Sequence, residues 1–200
     1  MNKSDLRVQP AQDLRSLAWF IWRHRSSEGD MRRCISTAYY AVFRLIADDG
    51  LETLAPKDVG FYLNNYRKFT HTTMKEACRR LRERYITGDN ILLNFKPLLI
   101  PDGQQETMFH PIPIVQSLSE LFYNLHTFRE IADYDMYEPI SQQTPVDVFT
   151  ILNNMEDFFE QWEQLKTDNP IALKSWIVLL FLGTHNARFT QVIHKHLPQL

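Results

Sequence analysis

Arg129 stands out in this sequence because its place in a predicted helix suits an apolar side chain. At about 100° per residue, Arg129 falls within a stripe of four apolar residues on that helix: Leu118, Phe122, Leu125 and Ala132. A guanidinium stays charged in proteins and is costly to bury alone. We therefore expect Arg129 either to be paired inside the core or to face a groove or a second subunit.

Three neighbours of Arg129 on the predicted helix could form a site with it. His126 lies about one helical turn before it, and histidine readily transfers protons near neutral pH. Tyr134 could donate a hydrogen bond, although a tyrosine ordinarily titrates at about 10 and is a poor general base. Asp133 lies about one turn after Arg129.

The same helix also has a structural interpretation. Arg129 and Asp133 are four residues apart, which is the spacing at which opposite charges pair along a helix. Such a pair could be buried against the hydroxyl group of Tyr39 or Tyr40. The residue pattern leaves both interpretations open.

A basic segment is the candidate for contact with a nucleic-acid backbone. Residues 67–84 hold seven basic and two acidic side chains, a net charge of +5. Residues 120–168 hold eleven acidic and two basic side chains, a net charge of −9. Such a split lets one surface attract a polyanion, although the two surfaces could also neutralise each other. The RNA-binding candidates are Arg67, Lys68, Lys75, Arg79, Arg80 and Arg82.

The sequence contains no recognisable motif for a metal site, a cofactor site or a membrane span. The sequence contains no glycine-rich phosphate loop, nucleophile elbow or zinc-protease motif, so we predict neither a metal site nor a cofactor. Cys34 and Cys78 fall inside helical patterns, which favours buried thiols and a reducing cytoplasm over a disulfide framework. The N-terminus lacks the apolar core of a signal peptide, and the longest apolar run, 176–182, is too short to span a bilayer. We expect a soluble cytoplasmic protein with no membrane partner.

Apolar periodicity predicts an all-α fold. The first half should form helices over about 10–25, 28–48 and 71–85, with a weaker helix over 56–69. Pro10 is expected in the first turn of its helix, and Asp48-Asp49-Gly50 is expected to end the second one. No pair of alternating strands joined by a two-residue turn is present.

The second half is predicted to contain an irregular loop over 86–113, followed by further helices. Helices are expected over 114–135, after the cap Thr144-Pro145-Val146-Asp147, and over 170–182 and 184–196. Residues 1–167 should then form one helical bundle, and 168–200 should form a C-terminal helical pair packed on it.

Two segments together resemble the HEPN family. The first is Ser36-Thr37-Ala38-Tyr39-Tyr40-Ala41-Val42-Phe43, and the second is Arg129-Glu130-Ile131-Ala132-Asp133-Tyr134-Asp135. The resemblance covers roughly residues 10–165 in outline. It implies an up-down bundle of four to five helices that pairs as a homodimer. Members of this family occur with minimal nucleotidyltransferases and in prokaryotic conflict systems, which would make a nucleotidyltransferase-type antitoxin a partner.

The resemblance also bears on activity. Many HEPN proteins are metal-independent endoribonucleases with an arginine followed, after four to six residues, by a histidine. Arg129 matches the arginine, but the three permitted positions hold Tyr134, Asp135 and Met136. We therefore expect an RNA-associated protein of toxin or defence type whose ribonuclease motif is degenerate. If it is active, the resemblance implies that Arg129 grips the phosphate, Asp133 orients the reacting groups and His126 or Tyr134 donates the proton. The alternative is a non-catalytic dimerisation or interaction module in which Arg129 and Asp133 are structural. Catalysis predicts Arg129 near solvent at a cleft, whereas a structural role predicts Arg129 sealed against the second helix.

Overall fold

Helices make up most of the described structure, as the periodicity predicts. The computed structural model describes residues 5–54, 69–82, 95–101, 109–135, 137, 139–140 and 147–182. These ranges contain six α-helices: α1 Asp5–His24, α2 Glu28–Leu54, α3 His71–Leu81, α4 Pro113–Tyr134, α5 Val148–Asp168 and α6 Pro170–Leu182. The all-α class is therefore confirmed. Most of the predicted helix over 56–69, the predicted helix over 184–196 and the rest of the C-terminal pair lie outside the described residues.

Two short strands interrupt the helices within the segment predicted as a loop. A 3₁₀ turn, Lys96–Leu98, leads into β1 Leu99–Pro101, which pairs antiparallel with β2 Phe109–Pro111. Three-residue strands that each end in proline are too short to show an alternating pattern. No pattern in the amino-acid sequence therefore indicates this sheet.

α2 is the central helix, and it packs against α1, α4, α5 and α6. Its buried face carries the apolar residues that the helical spacing predicts, among them Ile35, Ala38, Val42 and Ile46. At its start, Ser27 Oγ accepts from the Asp30 backbone N–H, and Asp30 accepts from the Ser27 N–H. This reciprocal capping arrangement fixes the start of α2 after α1.

The predicted end of α2 at Asp48-Asp49-Gly50 is wrong, because these residues are buried against other helices. Asp48 pairs with Arg44 at 2.9 Å, and Asp49 accepts from Trp162 Nε1 at 2.6 Å. A Cβ added at Gly50 would lie 3.3 Å from Ile177 Cγ2, so glycine allows α6 to approach closely. Tertiary partners thus keep in the helix residues that would otherwise favour a turn.

Two further predictions of helix ends are wrong. α1 begins at Asp5, so Pro10 lies inside the helix and not in its first turn. α5 is capped by Asp147, whose carboxylate accepts from the Thr150 N–H at 2.8 Å. Asp147 is therefore the cap itself, and the predicted cap residue Thr144 lies outside the described residues.

α6 packs on the bundle through a largely buried surface that includes Trp176, Ile177 and Leu180. It contacts α2, α3 and α5. None of the described helices combines the length and the apolar character needed to cross a bilayer.

Candidate functional site

Arg129 projects from α4 towards α2, and its side chain is 11% exposed. Its Nε lies 2.6 Å from Asp133 Oδ2. Its Nη2 donates to the hydroxyl group of Tyr40 at 2.9 Å and to that of Tyr134 at 3.2 Å. The charge on the apolar stripe is thus paired within the protein, with partners on both its own helix and α2.

Further contacts hold this arrangement in place. The Ser36 hydroxyl of α2 donates to Asp133, so the carboxylate that pairs with Arg129 is itself fixed from α2. The guanidinium carbon lies 5.5 Å from the ring centroid of Tyr40 and 5.0 Å from that of Tyr134. Burial opposes the charge, but the bond to Tyr40 and the nearby Asp133 outweigh it and raise the pKa of Arg129.

His126 is buried beside the same cluster, at 3% exposure. Its Nδ1 lies 3.4 Å from Glu130 Oε2, and its ring meets the Tyr39 ring edge-on with centroids 5.3 Å apart. Burial lowers the pKa of His126 to about 4, although Glu130 acts in the opposite direction. The imidazole is therefore neutral at pH 7 and is not a ready proton donor there.

His71 belongs to this cluster, and the sequence analysis did not single it out. It is the first residue of α3, after the N-cap Thr70, and is half-buried. Its Nδ1 lies 2.5 Å from the Tyr39 hydroxyl, and its ring lies 4.3 Å from that of Phe43. Burial and the charge of Arg129 lower the pKa of His71. No local pattern joins His71 to Tyr39, because they meet only when α3 packs on α4 and brings its first residue to α2.

Arg32 is a second residue that the sequence analysis missed. It is 8% exposed, and its Nη1 donates to the backbone carbonyls of Ala132 at 3.3 Å and Asp135 at 2.5 Å. Its Nε pairs with Glu28 at 3.0 Å. Arg32 thus satisfies free carbonyls at the C-terminal end of α4, where a cation is favoured. Its helical spacing from Ile35 on the buried face of α2 was the available signal.

Tyr134 is 69% exposed. Its hydroxyl group reaches back to Arg129, so this ring covers the solvent side of the guanidinium. Asp133 and Tyr134 are therefore both brought to Arg129, as their spacing suggests. His126 joins the cluster through Tyr39 and Glu130.

The basic candidates within the described residues each have an acidic neighbour. Lys75 pairs with Glu130 at 2.5 Å, and Arg82 lies 3.8 Å from Glu120. Arg79 and Arg80 both pair with one carboxylate, that of Glu76, at 2.8 and 2.9 Å. The Arg79 bond leads the effects that lower the pKa of Glu76 to about 2. Arg67 and Lys68 lie outside the described residues.

The cluster around Arg129 is rich in hydrogen-bond donors and has two neutral imidazoles nearby. Its guanidinium is hydrogen-bonded to Tyr134 and paired with Asp133. Within the described ranges, no group of three or more histidine, cysteine, aspartate or glutamate side chains is placed to hold a metal ion. Comparison of the chain with protein-family models, curated proteins and solved structures finds no match.

Proposed function

We propose that this chain is a HEPN-like helical module that acts by association and does not cleave RNA. The proposal rests on one observation. Arg129 is largely buried against α2, where it pairs with Asp133 and donates a hydrogen bond to Tyr40. An arginine that must grip a phosphate needs donors directed towards solvent. Here Nη2 donates to the hydroxyl groups of Tyr40 and Tyr134, and Nε is buried 2.6 Å from the Asp133 carboxylate.

Three further features support the proposal. Asp133 is held beside Arg129 by Ser36, so an incoming phosphate would meet a fixed negative charge. His126 has a pKa of about 4 and would be a poor general acid near neutral pH. The acidic neighbours of Lys75, Arg79, Arg80 and Arg82 also weaken the basic segment as a surface for RNA.

A second candidate function is favoured by the position of His71. Its half-buried imidazole lies against Tyr39, whose ring centroid is 6.0 Å from the Arg129 guanidinium carbon. His71 would supply the imidazole of the motif from another helix, because the motif position itself holds Tyr134 and not histidine. The chain would then be an RNA-associated, metal-independent endoribonuclease of toxin or defence type in the cytoplasm, with a nucleotidyltransferase-type antitoxin as its partner.

RNA cleavage by the purified protein in the presence of EDTA separates these functions. We expect no cleavage by the wild type, by Arg129→Ala or by the control Arg33→Ala, which removes an exposed arginine of α2. The ribonuclease function would be favoured over the association module if the wild type and Arg33→Ala cleave RNA. Folded Arg129→Ala and His71→Ala should then have lost that cleavage.

A further inference from the structure

A cavity opens beside the short hairpin of β1 and β2, which leads into the start of α4, whereas Arg129 lies near the other end of that helix. The cavity measures about 390 Å³. Sites that hold small molecules usually measure about 300–1,000 Å³. The described residues that line it are three apolar side chains and one cation, namely Leu99, Pro101, Phe109 and Lys96. This size and composition suit a small ligand with an apolar body.

The three apolar lining residues share one face of the two-stranded sheet. Pro101 of β1 lies directly opposite Phe109 of β2, and Leu99 lies two residues before Pro101. Because successive side chains of a strand point to opposite faces, these three side chains lie on the same face. Ile100 and His110, which form the intervening pair, belong to the other face. The pairing register thus groups the apolar wall of the cavity.

Lys96 supplies the positive charge at the cavity. It begins the 3₁₀ turn three residues before Leu99, and the Leu99 N–H donates to its carbonyl oxygen. Side chains three residues apart eclipse each other in this kind of turn, so Lys96 lies on the same side as Leu99. Lys96 is exposed, and in the described parts of the chain no carboxylate pairs with it. Its ammonium group is therefore available to a ligand at the open side of the cavity.

The wall of the cavity is anchored to the fold on both sides of the 3₁₀ turn. Phe95, just before the turn, is 1% exposed, and Leu98, its last residue, is fully buried. The Ile112 N–H, just after β2, donates to the Leu98 carbonyl oxygen at 2.9 Å. The 3₁₀ turn also contacts α6. A cavity that is already formed in this way loses little conformational entropy when a ligand binds.

The lining residues determine the chemical class of the ligand. An aromatic ring can stack on the ring of Phe109 and cover the apolar wall, and a rigid ring also has little conformational freedom to lose. A carboxylate carries one negative charge, which a single ammonium group can match. A phosphate group carries about −1.5 to −2 at neutral pH and has three acceptor oxygens, more than Lys96 alone can satisfy.

We propose that this cavity binds a small aromatic carboxylate. The ring of the ligand packs on Leu99, Pro101 and Phe109, and its carboxylate pairs with the ammonium group of Lys96. The site is built from the hairpin and the 3₁₀ turn, so it is separate from the Arg129 cluster. Binding here does not depend on whether the chain acts by association or cleaves RNA.

Isothermal titration with indole-3-acetate and indole-3-acetamide tests the role of the charge. The two probes have nearly the same shape, and only the first carries a negative charge. We expect the wild type to bind the acetate more tightly than the amide. Lys96→Gln should weaken acetate binding by about fivefold and leave amide binding unchanged. The matched control is Lys174→Gln, which removes an exposed lysine of α6 outside the cavity and should bind the acetate as the wild type does.

Three results of this titration would overturn the proposal. The first is no binding of indole-3-acetate by the wild type at millimolar concentration. The second is equal affinity of the wild type for the two probes. The third is an affinity of Lys96→Gln for the acetate equal to that of Lys174→Gln.

Replacement of one residue on each face of the sheet tests where the ring lies. Phe109→Ala should weaken the binding of both probes by about fivefold or more, because it removes the ring on which they stack. Ile100→Ala removes an apolar side chain from the opposite face and should keep the wild-type affinity. Circular dichroism checks that both variants fold. Equal affinities of the two variants would place the ligand elsewhere and overturn the site.

Discussion

Arg129 and His126 show two ways in which single ionisable residues are accommodated on one buried helix face. Arg129 keeps its charge and receives partners, namely Asp133 on its own helix and Tyr40 on α2. His126, one turn earlier, lies in the core with a pKa of about 4 and is neutral instead. The difference follows from chemistry, because a guanidinium cannot give up its proton at neutral pH and an imidazole can.

The sequence showed that Arg129 needed a partner but could not choose between partners. Asp133 and Tyr134 were predictable because they lie within one or two turns of the same helix. Tyr40, Ser36 and His71 are joined to the cluster only by the packing of α2, α3 and α4, which a single sequence does not specify. His71 in particular carries no local signal except the cap at Thr70.

The burial of His126 predicts that the folded protein loses stability as the pH falls from about 6.5 towards 4. The unfolded chain takes up this proton near 6.5, whereas the folded chain does so only near 4. The free energy of unfolding should therefore fall across this window by up to about 3 kcal/mol. His71, whose pKa is also lowered, acts in the same direction.

Urea unfolding of His126→Gln and the wild type across this pH range measures the effect. The variant should show a clearly smaller slope of unfolding free energy against pH. His24→Gln, which removes an exposed histidine of α1, is the control and should keep the wild-type slope. Equal slopes in His126→Gln and the wild type would contradict a buried neutral His126.

At the scale of whole elements, helix periods were predictable and helix ends were predictable only in part: α6 has its predicted bounds and α4 is within one residue of its own, but the end of α2 is wrong. Most predicted helices are present, because apolar residues that recur about every 3.6 positions form one helix face that can pack against the core. α2 nevertheless extends past Asp48-Asp49-Gly50 to Leu54. Asp49 is bonded to Trp162 and Lys166 of α5, over a hundred residues away, which no local rule detects.

The hydrogen bonds of Arg32 to the end of α4 predict that Arg32 stabilises the folded protein there. Arg32→Ala should lower the free energy of unfolding by about 2 kcal/mol, because it removes hydrogen bonds to carbonyls that are then left unsatisfied. Arg33→Ala, on the neighbouring exposed position, should change it by less than about 0.5 kcal/mol. Thermal unfolding followed by circular dichroism compares the two. Equal stabilities would mean that Arg32 does not fix the end of α4.

At the scale of the molecule, the opposite charges of 67–84 and 120–168 are partly neutralised within the fold. Lys75 of α3 pairs with Glu130 of α4, and Arg82 lies near Glu120 of the same helix. α3 therefore packs its basic face partly against acidic positions of α4. The charge split that suggested a polyanion surface from the sequence is, in this region, a contact between two helices.

The role of Arg129 is tested most directly by the free energy of unfolding of Arg129→Ala in urea at pH 7. We expect a loss of about 2 kcal/mol, because Asp133 and Tyr40 lose their charged partner in a largely buried place. Arg33→Ala, measured alongside, should lose less than about 0.5 kcal/mol. A loss for Arg129→Ala no larger than that of Arg33→Ala would contradict a structural arginine.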